Sequence, residues 1–279
     1  MRTKFAVLCL ISALGFTQCS FINDSYVEDA DCGLNMKMIY VDGGTFNMGG
    51  TVEQGTDVED DERLVHPVEL DSYYIAECEV TQEQWFKIMG TTIEYQRNLA
   101  NPTYELRGVG SDTPIYYVSW DEAQAFCQAL SRRTGKTYML PTEAQWEYAA
   151  RGGKADDGTK YSGFNYLDAV AWYKDNSGEA AHPVKRKTPN SLGLYDMSGN
   201  VWEWCRDYYG DYTYSIQTNP EGPLFSEYRV VRGGAWIHKP KFCRVSCRIK
   251  GVQSQRYNRG GFRVVCIPSC NWAKSAVAR

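Results

Sequence analysis

The stretch from residue 153 to 228 constrains this chain most. It is long, polar and aromatic, with neither a helical nor a strand period. A segment of that length is ordered only if a metal, a disulfide or buried aromatic side chains pin it. Regular elements are announced on either side. Thr81 is followed three residues on by Gln84, Ser119 by Glu122 and Thr142 by Gln145. In each pair the hydroxyl and the amide or carboxyl satisfy free N–H groups at a helix start. The first helix carries Trp85 and Ile88 and stops at Gly90. The second carries Ala123, Phe126 and Leu130 and stops at Gly135. The third carries Trp146, Tyr148 and Ala149 and ends at Gly152-Gly153. Strand-like alternation occurs at 36–41, loosely at 68–80, and in pieces at 229–236, 242–249 and 261–267. About three helices, short strands and large loops predict an α+β fold.

Composition allows a real core, with 43% hydrophobic and 23% charged residues in 279. The net charge is -4 and no Lys/Arg block is present, which argues against a nucleic-acid partner. Twenty Tyr and eight Trp supply core area and stiff recognition surface.

The N-terminus reads as a targeting segment. Arg2 and Lys4 precede an apolar run, Phe5 to Phe16, too short to span a bilayer, which needs about 20 residues. Residues 1–18 are expected to be a signal peptide. Cys19 stands where a lipoprotein signal is cut and the new terminal cysteine acylated, although Gln18 is large for that position. Residues 19–33 read as a tether, 34–267 as the folded domain and 268–279 as a tail. The expected location is the cell envelope, as a lipid-anchored outer or plasma membrane lipoprotein, or otherwise periplasmic or secreted. Setting aside Cys9 and Cys19, eight cysteines remain, an even number that suggests disulfides in an oxidising compartment. No CxxC with metal spacing occurs.

Four segments together carry a family resemblance: Phe46-Asn47-Met48-Gly49; Leu140 to Tyr148, LPTEAQWEY; Gly193 to Trp204, GLYDMSGNVWEW; and Arg232-Gly233-Gly234 with Gly261-Phe262-Arg263. In order and spacing over about residues 36–266 the chain resembles the formylglycine-generating enzyme family, also called sulfatase-modifying factors. The resemblance implies a single C-type-lectin-like domain with little regular structure. Enzymes of that family oxidise a sulfatase cysteine with molecular oxygen and a copper ion held by two cysteines. Carried over by position, the second cysteine is Cys243, the first is His238, and the serine after Arg-Gly-Gly is Ala235. Imidazole also binds copper, so a mixed site is chemically conceivable, but copper is not expected here. Cys243 is open to other readings: a bridge to Cys247 or another thiol, or a buried small residue.

The resemblance also implies a structural calcium ion held at Asp196, Gly199, Val201 and Glu203, oxygen donors around a glycine turn. A second calcium site expected around 168–190 has no residue-by-residue match. One family disulfide falls on Ala150 and Arg248 and is lost. The other begins at Cys127, and its second half falls on Val264, two residues before Cys266. Two residues along a strand share a face, so Cys127–Cys266 is the expected bridge.

The functional expectation is a non-catalytic ligand-binding or scaffold protein at the cell envelope, its partner a protein or small molecule. Its candidate face is Trp236, His238, Lys239, Lys241, Arg244, Gln253, Gln255, Arg256, Tyr257 and Asn258. The alternative is a formylglycine-generating oxidase using Cys243 and His238. Sugar binding is weaker, because the Glu-Pro-Asn and Gln-Pro-Asp signatures of true C-type lectins are absent.

Overall fold

The computed structural model describes residues 25–268. The signal peptide, Cys19 and the tail beyond 268 lie outside them. Among the described residues no helix is long and apolar enough to cross a membrane.

Strands β1 (Tyr26–Glu28), β2 (Met36–Val41), β3 (Gly44–Met48), β4 (His66–Leu70) and β5 (Tyr73–Ala76) open the chain. Helices α1 (Gln82–Met89), α2 (Ile93–Ala100) and α3 (Trp120–Thr134) follow, then β6 (Thr137–Met139), α4 (Glu143–Ala150) and the short α5 (Leu167–Val170). The remainder is β7 (Trp202–Tyr208), β8 (Gln217–Thr218), β9 (Tyr228–Arg232), β10 (Arg248–Val252), β11 (Gly260–Gly261) and β12 (Val265–Ile267).

The central sheet is antiparallel, in the order β1-β2-β5-β12-β6. Alternation along its strands divides the core in two. Met36, Met38, Ala76, Val264 and Cys266 face one cluster, closed by Trp85 of α1 and Phe126 and Leu130 of α3. Ile39, Val41, Tyr73, Ile75 and Val265 face the other, closed by Trp146 and Tyr148 of α4. Two smaller sheets, β10-β9-β7-β11 and β3-β4-β8, complete the frame.

The three capping boxes form as expected, at Thr81, Ser119 and Thr142. Gly90 and Gly135 cap α1 and α3 in the left-handed region, at φ 73° and 71°. Helix α2 is additional. Its N-cap Thr92 accepts from the Tyr95 N–H, but no Glu or Gln stands at the third position to reciprocate, so the sequence signal was half present. The expected strand at 242–249 is instead a 3-10 turn, Pro240–Cys243, with β10 beginning only at Arg248. Part of the expected tether is structural: β1 pairs with β2, and the Glu28 carboxylate accepts from the Tyr138 hydroxyl at 2.5 Å and from Lys136 Nζ at 2.6 Å.

The irregular 153–201 stretch is pinned largely by buried aromatics. Tyr161, Leu167, Val170, Ala171 and Tyr173 form a third cluster with Cys243. The expected Cys127–Cys266 bridge is not formed. All seven described cysteines are free thiols. Cys127 and Cys266 do lie in one cluster, as the same-face argument requires, but the Cys266 thiol is engaged with the Tyr26 and Tyr138 hydroxyls.

Candidate functional site

The family's sequence motifs build the ion pairs that hold this frame. Thr142 starts α4, which places Glu143 and Glu147 one turn apart on a buried face. Glu143 takes Arg248 in a two-pronged pair, both distances 2.7 Å. Glu147 takes Arg232, and also Arg151 at 2.8 Å. Glu203, on β7 between Trp202 and Trp204, takes Arg263 with both distances 2.7 Å and the Trp146 indole N–H at 2.8 Å. Buried charges persist when paired and hydrogen-bonded in this way. Gly233 is needed for close approach: its φ is 97°, and a Cβ there would meet the Trp146 ring at 3.1 Å.

At the position of the family's copper ligands, His238 and Cys243 sit in different surroundings. Cys243 is fully enclosed, and a Cβ on Gly234 would lie 2.8 Å from its Sγ. Burial pushes its thiol up, away from the thiolate that copper(I) requires. His238 is half-buried, edge-on to Trp202 and Phe242. The Trp202 indole N–H donates to His238 Nδ1 at 3.1 Å. Indole only donates, so Nδ1 is the acceptor and the ring proton of the neutral imidazole sits on Nε2. Neither nitrogen keeps a free lone pair for a metal. Desolvation, with Arg259 nearby, lowers the His238 pKa to about 4. These residues do not fit a copper site.

The calcium positions have different company. Among the described residues no three His, Cys, Asp or Glu side chains are arranged as a metal cluster. The expected site, however, draws half its donors from backbone carbonyls. Asp196 is buried at φ 57°. Its Oδ2 accepts from the Lys185 N–H at 2.8 Å, while its Oδ1 has no partner. Glu79, which the sequence reading missed, is fully buried beside Asp196 and Glu203, and neither of its carboxylate oxygens has a partner. Three carboxylates thus share one guanidinium, Arg263. Burial, reinforced by Asp196 and Glu203, raises the Glu79 pKa well above the carboxylate range. Burial, opposed by the Lys185 N–H and Arg263, still pushes Asp196 up to about 6. Orphaned, desolvated carboxylate oxygens are what a hard dication would satisfy. Asp196 and Glu79 therefore fit calcium, with Gly199 and Val201 on the same turn. Glu203 is already committed to Arg263. In the region of the unmatched second site, Trp172 stacks on His182 at 3.8 Å, and Lys187 Nζ sits 4.0 Å from the indole centroid.

The candidate ligand face divides. Trp236, Gln255, Arg256, Tyr257 and Asn258 line one groove of about 780 Å³. Arg244 is not on it: the side chain is fully buried and clamps Glu62 at 2.6 and 2.7 Å. Lys241 pairs with Glu59 at 2.8 Å, and Lys239 and His238 also lie outside the groove lining. The 254–258 wall is stitched to the start of α3, and Gln253, just before it, lies outside the groove lining with its side chain on Asp121 and Arg229. Trp120 N–H donates to the Gln253 carbonyl at 3.0 Å, Tyr117 N–H to Tyr257 at 2.9 Å, and Arg256 takes Glu122 at 3.0 Å. The opposite wall is Leu99, Tyr104, Glu105 and Arg107, from the end of α2 and the loop after it. Tyr104 stacks on Tyr117 with centroids 6.1 Å apart, and Arg107 pairs with Glu105 and Glu179. That loop carries no periodicity, so no sequence signal marked it.

Comparison with known proteins agrees with this frame. Residues 25–267 match the sulfatase-modifying factor enzyme 1-like domain. The chain belongs to the sulfatase-modifying factor family. The formylglycine-generating enzyme of Streptomyces coelicolor is 30% identical, covering 79% of this chain and 86% of its own. A chaperone protein, LppX of Paenibacillus barcinonensis, is 28% identical over 87% of this chain and 91% of its own. The solved structure of Treponema denticola variable protein 1 superposes with a TM-score of 0.73 at 30% identity, covering 88% of this chain and 99% of that one.

Proposed function

We propose that this protein is an exported envelope lipoprotein, anchored at Cys19, whose family scaffold binds a polypeptide segment in the Trp236/Tyr257 groove and performs no oxidase chemistry. The observation that carries the reading is the groove itself. The rings of Tyr104 and Tyr257 offer apolar contact over the buried Trp236, while Gln255, Asn258 and the Arg107–Glu105 pair offer hydrogen bonds to a backbone. The capped imidazole of His238 and the enclosed thiol of Cys243 argue against the copper chemistry of the family's enzymes. A relative named as a chaperone supports a polypeptide partner. A calcium ion held by Asp196 and Glu79, with the Gly199 and Val201 carbonyls, would supply fixed positive charge that stiffens the irregular segment.

Binding to an unfolded client such as carboxymethylated lactalbumin, followed by fluorescence anisotropy, tests the groove. Tyr104→Ala with Gln255→Ala is expected to weaken it roughly tenfold, about 1.4 kcal/mol. Unchanged binding refutes the groove. The competing reading is a formylglycine-generating oxidase, favoured by the retained Cys243. Aldehyde formation on a Cys-x-Pro-x-Arg peptide in the presence of copper, abolished by Cys243→Ser, would establish it instead.

A further inference from the structure

The loop that joins β7 to β9, residues 209–227, carries four large apolar side chains in solvent. Tyr214, Ile216, Leu224 and Phe225 are 86%, 72%, 100% and 76% exposed. Single exposed apolar residues need no explanation, but a group on one loop marks an interaction surface. The loop is held in place. Gln217 and Thr218 pair with Val68 and Glu69 of β4. The Asn219 N–H donates to the Glu69 carbonyl at 2.8 Å, and the Asn219 side chain bonds Asp71 at 2.9 and 3.1 Å. Phe225 leans on Tyr208, with ring centroids 5.7 Å apart.

This anchorage puts the loop at one end of the central sheet. Asp71 lies in the corner between β4 and β5, and β5 begins at Tyr73, opposite Val41. Tyr74 pairs with Cys266, two residues before the last described residue. Tyr26 pairs with Met38 in an antiparallel ladder, so Ser25 lies on the Val41 side. Both ends of the described chain therefore leave where the loop is tied. Cys19 is six residues before Ser25, and six residues reach at most about 20 Å. The groove lies past the other end of β5. Beyond Ala76, the Val80 carbonyl accepts from Ile115, and two residues further Tyr117 bonds Tyr257.

We propose that the 209–227 loop is a lipid contact. It seats Tyr214, Ile216, Leu224 and Phe225 in the headgroup boundary of the membrane that Cys19 tethers, and so turns the groove outward. The inference rests on the Cys19 anchoring in the functional reading, not on the groove's ligand. The loop holds Asp211, Glu221 and Glu227 and no Lys or Arg, so the surface it suits is zwitterionic and the contact is apolar.

The test uses the full exported chain with Cys19→Ser, which carries no acyl group, and flotation with phosphatidylcholine–phosphatidylethanolamine vesicles. Co-flotation is expected, unchanged when salt is raised to about 0.5 M. Serine at all four positions should lower partitioning roughly tenfold or more without shifting the melting temperature. Leu224→Trp should raise partitioning while the melting temperature stays that of the native chain, which separates a gain at the loop from one caused by unfolding. No flotation of the Cys19→Ser chain, or equal flotation of the serine variant, overturns the proposal. So does a concentration-dependent dimer that the serine variant loses, because the patch would then meet a second copy. An unacylated Cys19 in the native chain, read by intact mass, fails the anchoring reading separately.

Discussion

Asp196→Asn separates a calcium site from a merely strained carboxylate pair. Asparagine tolerates the left-handed backbone at φ 57° and keeps an oxygen for the Lys185 N–H. Its amide can donate toward Glu79, whose oxygens have no partner. In chelated protein the native Asp196 is raised to about 6 from 3.8. A carboxylate with a raised folded pKa contributes fully below its unfolded value, and that contribution is lost as pH rises through the folded one. Roughly two units at ~1.36 kcal/mol each put the penalty above pH 6 on the order of 3 kcal/mol. For a domain of this size that is about 6–12 °C in melting temperature. With EDTA at pH 7.5 the variant should therefore melt higher than the native chain, and the gap should close near pH 4. With calcium the sign should reverse, because the native chain gains up to about 4 kcal/mol at a thousandfold excess over Kd, while the variant has lost a charged ligand. Differential scanning calorimetry under the two conditions measures both. A variant that melts lower in both, or a native chain indifferent to calcium, refutes the reasoning.

Glu203→Gln should cost about 1.5–3 kcal/mol in denaturant unfolding whether or not calcium is present, because it takes the charge out of the two-pronged bond to the buried Arg263 guanidinium; a loss seen only with calcium would make Glu203 a ligand instead. His238, with its folded pKa lowered to about 4, contributes stability that is present above its unfolded value of 6.5 and lost as pH falls through 4. Its imidazole NMR signals should stay flat from about pH 8 to about pH 5, and a midpoint near 6.5 would show the Trp202 bond broken. Thiol alkylation followed by mass spectrometry should label Cys32 first and spare Cys127 and Cys243 until unfolding, since burial pushes both thiols up; a peptide joining Cys127 to Cys266 would contradict the free-thiol structure.

Local signals in the chain were accurate where the physics is local. A hydroxyl and a carboxyl or amide three residues apart close a capping box within one turn, so α1, α3 and α4 are legible in the sequence alone. Alternation in 36–41 likewise marked a strand, β2. Helix α2, capped from one side only, escaped the same reasoning. The candidate face was drawn from nearness in sequence, and there it failed at Arg244, whose partner Glu62 lies 182 residues away.

By itself, then, the sequence determined the family, the main helices and the replacement of the first copper-position cysteine by His238. Only the tertiary structure decided what those residues meet. It gave His238 an indole donor that fixes its proton on Nε2, and it split the face into a groove and a set of ion pairs. It also set Glu79 beside Asp196 with its oxygens unsatisfied. Caps and alternation depend on bonds that the chain makes to itself within a few residues. Burial, desolvation and charge pairing depend on segments that meet only when the core closes.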